Sequence, residues 1–150
     1  MAQSLSSVLV HIIFSTKERR FCLNETIFSE LYRYIAGILK NYDCEVCQIG
    51  GTENHIHILC ALSKNYALNK IVEMIKTGSS KWIKTKGEAY RDFYWQGGYG
   101  AFSISFTHKD IVCNYIANQK EHHKQITFEQ ELEKILKNYH VSYDSKYIWS

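Results

Sequence analysis

The sequence predicts an α+β domain with a ferredoxin-like (split βαβ, RRM-like) antiparallel sheet and additional C-terminal helices. Three observations lead to this fold class. The chain has 150 residues, of which 45% are hydrophobic, and it lacks proline, so we expect one folded domain over residues 1–150 without a flexible linker. Its apolar patterns follow the order strand, helix, strand, strand, helix, strand, and then two helices. The pair Gly50 and Gly51 between the two middle strands predicts that these strands form a hairpin.

The first half of the chain supplies three strands and one helix. Residues 8–15 are β-branched and apolar, which predicts the first strand. Apolar residues at intervals of three and four predict a helix over residues 24–42. The hairpin strands are expected at residues 44–49 and 55–62, and the second of them is a central strand. In this fold one face of that strand packs against helices and the other face is free, so that another segment can cover it.

The second half continues with a helix over residues 66–84, predicted from the same periodicity. A loop rich in glycine and aromatic residues, W-Q-G-G-Y-G, leads into A-F-S-I-S-F, which alternates as a strand does. Residues 110–124 are predicted as the next helix. Thr127 and Gln130 form a capping box, which predicts the start of a last helix.

A His-x-His pair lies at the start of the second hairpin strand, in the segment E-N-H-I-H-I-L-C-A at residues 53–61. Side chains at positions i and i+2 of a strand point to the same face. His55 and His57 are therefore expected side by side, where their imidazoles could bind one metal ion. In a helix the two rings would diverge and the pair would carry no such meaning.

Cys44 and Cys47 form a C-x-x-C upstream of this pair, which raises the alternative of a zinc site made with His55 and His57. On a strand, however, residues i and i+3 face opposite ways. Five cysteines in a chain without a secretory signal are also typical of free thiols, several of them buried as small apolar residues. Zinc is therefore the weaker interpretation.

A second candidate group lies in the helix predicted after the last strand. Tyr115 and Gln119 are four residues apart and His122 follows three residues later, so the three side chains share one helical face. This arrangement offers a candidate nucleophile beside a candidate third metal ligand. A helical tyrosine taken alone is more often a packing residue, and the pattern becomes informative only together with the His-x-His pair.

Together these features resemble the single-tyrosine transposases of the insertion-sequence 200/605 group, within the His-hydrophobic-His superfamily of single-strand endonucleases. The similarity runs nearly end to end through the segments H-I-I-F-S-T-K, G-G-T-E-N-H-I-H-I-L, S-S-K-W-I, W-Q-G-G-Y-G-A-F-S-I-S, Y-I-A-N-Q-K-E-H-H and Y-D-S-K-Y-I-W. The resemblance implies a DNA transposase that cleaves and rejoins single-stranded DNA at insertion-sequence ends through a 5′-phosphotyrosine intermediate. It implies metal assistance but no nucleotide cofactor, because the covalent bond conserves the phosphodiester energy.

The resemblance also implies the roles of individual residues. Tyr115 is the implied nucleophile. His55, His57 and Gln119 are the implied ligands of a divalent cation, Mg²⁺ or Mn²⁺.

Two residues are secondary candidates for the metal or for phosphate. Asn54 stands directly before His55, where family members often carry an acidic residue. Glu53 is expected on the same strand face as His55 and could replace that carboxylate. His122 is favoured as a phosphate contact or as a solvated residue near a helix end, where a cation suits the helix dipole.

The partners implied by the resemblance are DNA and a second copy of the chain. Family members bind single-stranded DNA with hairpins near the element ends. They act as homodimers in which the tyrosine helix of one subunit completes the histidine site of the other, and excision needs two cleavages and hence two nucleophiles. Since the N-terminus lacks a basic leader and a long apolar run, we expect a cytoplasmic protein without a membrane partner.

Basic and aromatic residues are candidates for holding the DNA. Cations follow the first strand and lie along one side of the second long helix, while the aromatics lie in the glycine-rich loop. The residues expected to contact DNA are Lys17, Arg19, Arg20, Lys81, Lys84, Trp95 and Tyr99. A lysine-bearing helix face is more often merely solvated, and the aromatics could equally fill the core.

Two other functions compete with transposition. One is a host-domesticated relative that cleaves palindromes with the same chemistry. The other is a non-catalytic ferredoxin-like module that binds single-stranded nucleic acid by stacking on its sheet face. That module would not need Tyr115, and the central strands lack the aromatic pair that it would use.

Overall fold

In the computed structural model, which describes residues 2–149, a four-stranded sheet has helices on both faces. The strands are β1 (Leu9–Ser15), β2 (Glu45–Gly51), β3 (His55–Ala61) and β4 (Gly100–Ile104). The helices are α1 (Phe28–Asn41), α2 (Leu68–Lys84), α3 (Lys109–Ala117), α4 (Gln119–His122) and α5 (Phe128–Asn138). None of the helices within residues 2–149 is long and apolar enough to cross a membrane.

The strand order in the sheet is β2-β3-β1-β4, and all neighbouring strands are antiparallel. This order is that of the ferredoxin-like fold, in which β1 and β3 are the central strands. The predicted fold class is therefore confirmed. Ile13 of β1 pairs with His57 of β3 on one side and with Gly100 of β4 on the other, so the His-x-His pair lies in the middle of the sheet.

The sheet separates two apolar layers because side chains of its central strands alternate between its faces. One face, which includes Ile12 and Ile58, packs against α1 and α2. On the opposite face Ile13 packs against α5, and Leu59 packs against Ile116 of α3. The face that the fold class by itself leaves free is thus covered by the C-terminal helices, and the histidines lie beneath them.

The helix predicted over residues 110–124 is interrupted at Asn118. This residue has φ −101° and ψ 21°, outside the helical region, and separates α3 from α4. Its side-chain amide donates to the backbone oxygen of Asn114 at 2.9 Å, and such bonds compete with the helical backbone ladder. Tyr115 and Gln119 consequently belong to different helices, although Gln119 Nε2 still donates to the Tyr115 backbone oxygen at 3.5 Å.

Gly50 allows α3 to pack directly on the backbone of β2. A Cβ atom at this position would lie 2.3 Å from the backbone oxygen of Ile116, which is the residue after Tyr115. We expect Gly50→Ala to lower the free energy of unfolding by about 1–3 kcal/mol, the usual cost of overpacking. The displaced α3 should also lower any activity that depends on Tyr115.

Gly37→Ala in α1 is the matched control for this substitution. A Cβ atom at Gly37 meets nothing within 4 Å. We expect this variant to be more stable than the wild type by about 0.5–1 kcal/mol, because alanine loses less conformational entropy than glycine in a helix. Urea unfolding of both variants measures the difference, and equal stabilities would contradict the close contact between α3 and β2.

Candidate active site

Three histidines of the central strands form a buried row on the face covered by α3, α4 and α5. His55 and His57 of β3 are 1% and 0% exposed, and their ring centroids are 5.1 Å apart. His11 of β1 joins them, because its Nε2 lies 2.8 Å from His57 Nδ1. Strand alternation therefore brings the two rings of the His-x-His pair together, and strand pairing adds the third.

Glu131 of α5 brings a carboxylate to the same point. It is 2% exposed, and its Oε1 lies 3.0 Å from His57 Nε2, 3.1 Å from His123 Nε2 and 3.6 Å from His55 Nε2. The possible ligand atoms of these four residues all lie within 4.8 Å of one another. We refer to His55, His57, His123 and Glu131 as the His/Glu cluster.

Gln119 lies at the edge of the His/Glu cluster. Its Oε1 is 3.1 Å from His55 Nε2, and its Nε2 donates to Glu131 Oε2 at 3.2 Å. The side chain is buried because α4, which Gln119 begins, packs against the sheet. The amide oxygen is therefore available to a cation in the cluster.

The hydroxyl of Tyr115 reaches the same group of residues within one chain. It donates a hydrogen bond to Glu131 Oε2 and lies 3.4 Å from His122 Nε2. The Tyr115 ring stands edge-on to the His57 ring, with centroids 5.9 Å apart. The side chain also lines a cavity of about 260 Å³, through which a phosphate could approach the hydroxyl.

In both histidines of β3, the Nδ1 atom contacts a neighbouring side chain. His55 Nδ1 lies 2.8 Å from Asn54 Oδ1 and 3.0 Å from Thr52 Oγ1, while His57 Nδ1 faces His11 Nε2. Contacts of this kind orient a metal-binding imidazole and direct its other nitrogen at the ion. The amide oxygen of Asn54 and the hydroxyl of Thr52 thus make this contact for His55.

Burial keeps His55 and His11 neutral, and hydrogen bonding keeps the Glu131 carboxylate charged. Burial, reinforced by the neighbouring His57, lowers the pKa of His55 and of His11 to about 3, because desolvation disfavours the charged ring. Burial alone would raise the pKa of Glu131, but hydrogen bonds from His123 and His57 hold that pKa well below its usual range. Neutral imidazoles beside an ionised carboxylate are the protonation states that a metal site requires.

These donors fit a divalent cation. With its N–H at Nδ1 and donated to Asn54 Oδ1 at 2.8 Å, neutral His55 directs its Nε2 lone pair toward Gln119 Oε1 at 3.1 Å and Glu131 Oε1 at 3.6 Å. A cation between these three atoms could accept a lone pair from each. The separations of 3.0, 3.1 and 3.6 Å around Glu131 Oε1 are close to the ~3.0–3.4 Å between neighbouring ligands when the metal–ligand bonds are about 2.1 Å.

The secondary candidates Glu53 and His122 both lie outside the His/Glu cluster. β3 begins at His55, so Glu53 belongs to the preceding turn and does not share a strand face with His55. That expectation is corrected. His122 Nε2 lies 3.3 Å from Glu131 Oε2, whereas the next residue, His123, belongs to the cluster.

Trp95 is a core residue and not an exposed surface for stacking DNA bases, which corrects its predicted role. It is 8% exposed, and its Nε1 donates to Ser79 Oγ at 2.9 Å. Its ring packs edge-on against Phe14 and Phe93. A bridge between Trp95 and Thr16, the residue directly after the central strand β1, holds the ring in the layer that packs against α1 and α2.

Lysines from two segments lie near the exposed aromatic ring of Tyr94, the residue before Trp95. Lys84 Nζ lies 4.4 Å and Lys17 Nζ 5.6 Å from the ring centroid of Tyr94, which is 57% exposed. Lys81 is exposed on α2, and Tyr99 is partly exposed in the glycine-rich loop. These candidate DNA contacts are thus accessible.

The two arginines after β1 are engaged in ion pairs. Arg19 Nε lies 2.6 Å from Glu129 Oε1, and its guanidinium lies 4.8 Å from the centroid of the Trp149 ring. Arg20 pairs with Glu18 at 2.9 Å in a more exposed position. A DNA phosphate would have to compete with these carboxylates for either arginine.

Cys44 and Cys47 do not form a metal site with the His-x-His pair. Cys44 belongs to the apolar layer beneath α1 and α2, while Cys47 packs on the α3 side of the sheet. Both are free thiols, and burial raises the pKa of both. The two side chains therefore face opposite sides of the sheet, and the zinc alternative lacks its ligands.

Three residues of the site, Glu131, His123 and His11, were not among the site residues predicted from the sequence. Glu131 did carry a signal, because it lies on the apolar stripe of α5, three residues after Phe128 and four before Ile135. A charged residue is unexpected on such a stripe. His11 also carried a sequence signal, because it is a polar residue within the otherwise largely apolar strand β1. The adjacent residues His122 and His123 offered no sequence feature that favoured His123 over His122.

Two solved structures have a similar fold. One is a protein assigned as a transposase from Deinococcus radiodurans, with a TM-score of 0.61 and 18% identity, covering 79% of this chain and 98% of that chain. The other is a REP-associated tyrosine transposase bound to a REP hairpin, with a TM-score of 0.59 and 13% identity, covering 84% of this chain and 76% of that chain. No curated protein matches the sequence.

The family model described as "Transposase IS200 like" matches residues 4–119. The matched range contains His55, His57, Tyr115 and Gln119 and ends before Glu131. Because this match extends over most of the sequence, the chain belongs to the IS200-like transposase family.

Proposed function

We propose that the protein cleaves and rejoins single-stranded DNA at insertion-sequence ends, with Tyr115 as the nucleophile. The observation that carries this proposal is that the Tyr115 hydroxyl contacts the same carboxylate as His57 Nε2. A nucleophile and a candidate metal site therefore lie within reach of one phosphate group. Membership of the IS200-like transposase family supports the same function.

The proposed chemistry exchanges one phosphate ester for another. The Tyr115 oxygen attacks the scissile phosphorus, the bond to the 3′ oxygen breaks, and the products are a 5′-phosphotyrosine and a free 3′-OH. The proton lost by Tyr115 is balanced by the proton that the leaving oxygen gains. Because the ester bond is conserved, a second 3′-OH can reverse the step and rejoin strands without a nucleotide cofactor.

Tyr115 needs activation, because burial and the nearby Glu131 raise the pKa of its hydroxyl above the usual value. Glu131 and His122 both contact the hydroxyl and are placed to accept its proton. A divalent cation, Mg²⁺ or Mn²⁺, held by His55, His57 and Gln119 would neutralise charge on the phosphate and orient it for in-line attack.

The proposed substrate is single-stranded DNA with a hairpin. A protein of similar fold was solved with a REP hairpin. On this chain the exposed ring of Tyr94 lies near the Nζ atoms of Lys17 and Lys84, so an aromatic surface for an unpaired base adjoins two cations that could contact phosphates.

The proposed assembly is a homodimer. Excision of an element requires two cleavages, and each chain carries one Tyr115. In this structure Tyr115 lies beside the histidines of its own chain, and exchange of α3 between subunits would give the same contacts in trans. Light scattering of the purified protein, with and without DNA, measures the assembly.

The covered sheet face argues against a non-catalytic module. RNA-recognition modules bind nucleic acid on an exposed sheet surface, whereas His55 and His57 lie beneath helices with almost no exposure. A host-domesticated relative that cleaves palindromes would use the same active site. Element ends on both sides of the gene would favour transposition, and their absence would favour the domesticated enzyme.

A covalent-adduct assay tests the proposed function. The purified protein is mixed with labelled single-stranded DNA from the flanks of its own gene, with Mn²⁺ or Mg²⁺, and run on a denaturing gel. We expect a metal-dependent adduct, in which mass spectrometry locates a DNA phosphate on Tyr115. Binding without an adduct, for both ions and both strands, would contradict a cleaving enzyme.

We expect Mn²⁺ to support adduct formation at least as well as Mg²⁺. Mg²⁺ prefers oxygen ligands, whereas Mn²⁺ accepts the imidazole nitrogens of His55 and His57 more readily. Initial rates of adduct formation, compared at equal concentrations of the two ions, measure this preference. A protein that is active with Mg²⁺ and inactive with Mn²⁺ would contradict the histidine ligands.

A further inference from the structure

We propose that Glu131 joins the metal site to the nucleophile. In this proposal Oε1 is an anionic ligand of the cation held by His55 and His57, and Oε2 holds the Tyr115 hydroxyl beside it. The inference rests on the proposed function and deepens it. It concerns a residue beyond the range matched by the family model, residues 4–119.

The two oxygens of this carboxylate face different partners. Oε1 lies 3.0 Å, 3.1 Å and 3.6 Å from the Nε2 atoms of His57, His123 and His55. Oε2 accepts hydrogen bonds from the Tyr115 hydroxyl and, at 3.2 Å, from Gln119 Nε2. One oxygen therefore lies among ring nitrogens and the other beside the nucleophile, as a bridging carboxylate requires.

The helix α5 holds this carboxylate in a fixed position. A capping box between Thr127 and Gln130 closes its first turn. Leu132 packs in a buried apolar cluster with Ile13 of the sheet. Glu131 lies between the capping box and Leu132 in the chain. Its side chain therefore points at the sheet and is 2% exposed.

A buried carboxylate destabilises the folded protein unless its charge is paired. The Oε1 atom of Glu131 is paired with imidazole nitrogens, which are themselves common metal ligands. The Nε2 atoms of His57 and His123 both contact Oε1, and His57 Nε2 would become a neighbouring ligand once a cation is bound. Two imidazoles and the Gln119 amide are neutral ligands. Glu131 adds the anionic oxygen that both Mg²⁺ and Mn²⁺ prefer.

Binding of Mn²⁺ without DNA tests the ligand role. Glu131→Gln keeps the size of the side chain and removes its charge, and we expect titration calorimetry to show an affinity lower by at least about 10–100-fold. Glu133→Gln, on the same helix and outside the His/Glu cluster, is the matched control and should bind as the wild type does. Unchanged affinity in a folded Glu131→Gln protein would overturn the assignment.

A crystal structure of the wild-type protein with Mn²⁺ tests the same role without a substitution, and it decides the question if Glu131→Gln does not fold. Anomalous scattering locates the ion. We expect Glu131 Oε1 in its coordination shell together with His55 and His57. An ion bound by the histidines with Glu131 outside that shell would overturn the proposal.

The contact with Tyr115 is tested in the metal-free protein. Urea unfolding in EDTA is measured for Tyr115→Phe, for Glu131→Gln and for the double variant. Since the two side chains share a hydrogen bond, we expect the shift in midpoint of the double variant to be smaller than the sum of the two single shifts. Additive shifts would overturn the contact.

Adduct formation separates this inference from the proposed function. A wild-type protein that forms no adduct on Tyr115 would contradict the proposed function, while the Mn²⁺ affinities would still decide the role of Glu131. Where the wild type forms the adduct, we expect Glu131→Gln to slow its formation at saturating DNA and to leave DNA affinity unchanged. Faster formation would mean that Glu131 occupies the place of the phosphate, which would overturn the proposal.

Discussion

Tyr115→Phe should abolish the covalent adduct in a protein that stays folded. Phenylalanine keeps the ring, which stands edge-on to His57, and removes only the attacking oxygen. Loss of a covalent nucleophile lowers the rate by about 10⁴-fold or more, so the adduct should fall below detection on a denaturing gel. Glu131 keeps its contacts with His57 and Gln119, so the free energy of unfolding should fall by only about 1 kcal/mol.

Tyr139→Phe is the matched control for the nucleophile. Tyr139 lines the same cavity as Tyr115, and its hydroxyl donates to the backbone oxygen of Ser103 at 3.0 Å. We expect this variant to form the adduct at the wild-type rate and both variants to bind DNA equally in a gel shift. An adduct that survives Tyr115→Phe would show that another residue is the nucleophile.

His57→Asn should remove most metal binding and destabilise the metal-free protein. His57 is 0% exposed and contacts His11 through Nδ1 and Glu131 through Nε2. Asparagine is too short to reach both partners, so the buried carboxylate loses a donor. Breaking a buried pair of this kind costs about 3 kcal/mol, and we expect the Mn²⁺ affinity to fall by about 100-fold or more.

Calorimetry with Mn²⁺, urea unfolding in EDTA and the adduct assay measure these effects separately. His108→Asn is the matched control, because His108 is exposed and its Nδ1 lies 3.3 Å from Thr107 Oγ1, outside the His/Glu cluster. Raising the Mn²⁺ concentration should restore part of the adduct in His57→Asn, as expected when a metal ligand is weakened. A folded His57→Asn protein that binds Mn²⁺ with wild-type affinity would rule out His57 as a ligand.

Several features could be predicted from the sequence because they depend on neighbouring residues alone. The alternation of side chains on a strand places His55 and His57 on one face wherever that strand lies. The same rule separates Cys44 from Cys47, which the apolar layers of the structure confirm. The order of strand and helix patterns was enough for the fold class, since a short hairpin and two crossover helices leave few topologies.

Predictions that depended on the ends of elements were less accurate. The helix expected over residues 110–124 is broken at Asn118, whose side chain bonds to the preceding turn. Glu53 lies in a turn, because β3 begins two residues later. Hydrogen bonding at element ends varies with the local side chains, so periodicity alone does not locate these ends.

The sequence by itself determined the strand pairing pattern, the shared face of His55 and His57, and the family resemblance. Only the tertiary structure decided which distant residues complete the site and which leave the surface. Glu131 reaches the histidines because α5 docks its apolar side on the sheet, and Trp95 enters the core because a bridge to Thr16, directly after β1, holds it there. The physical reason is that alternation follows from the backbone of adjacent residues, whereas convergence of ligands requires packing between elements far apart in the chain.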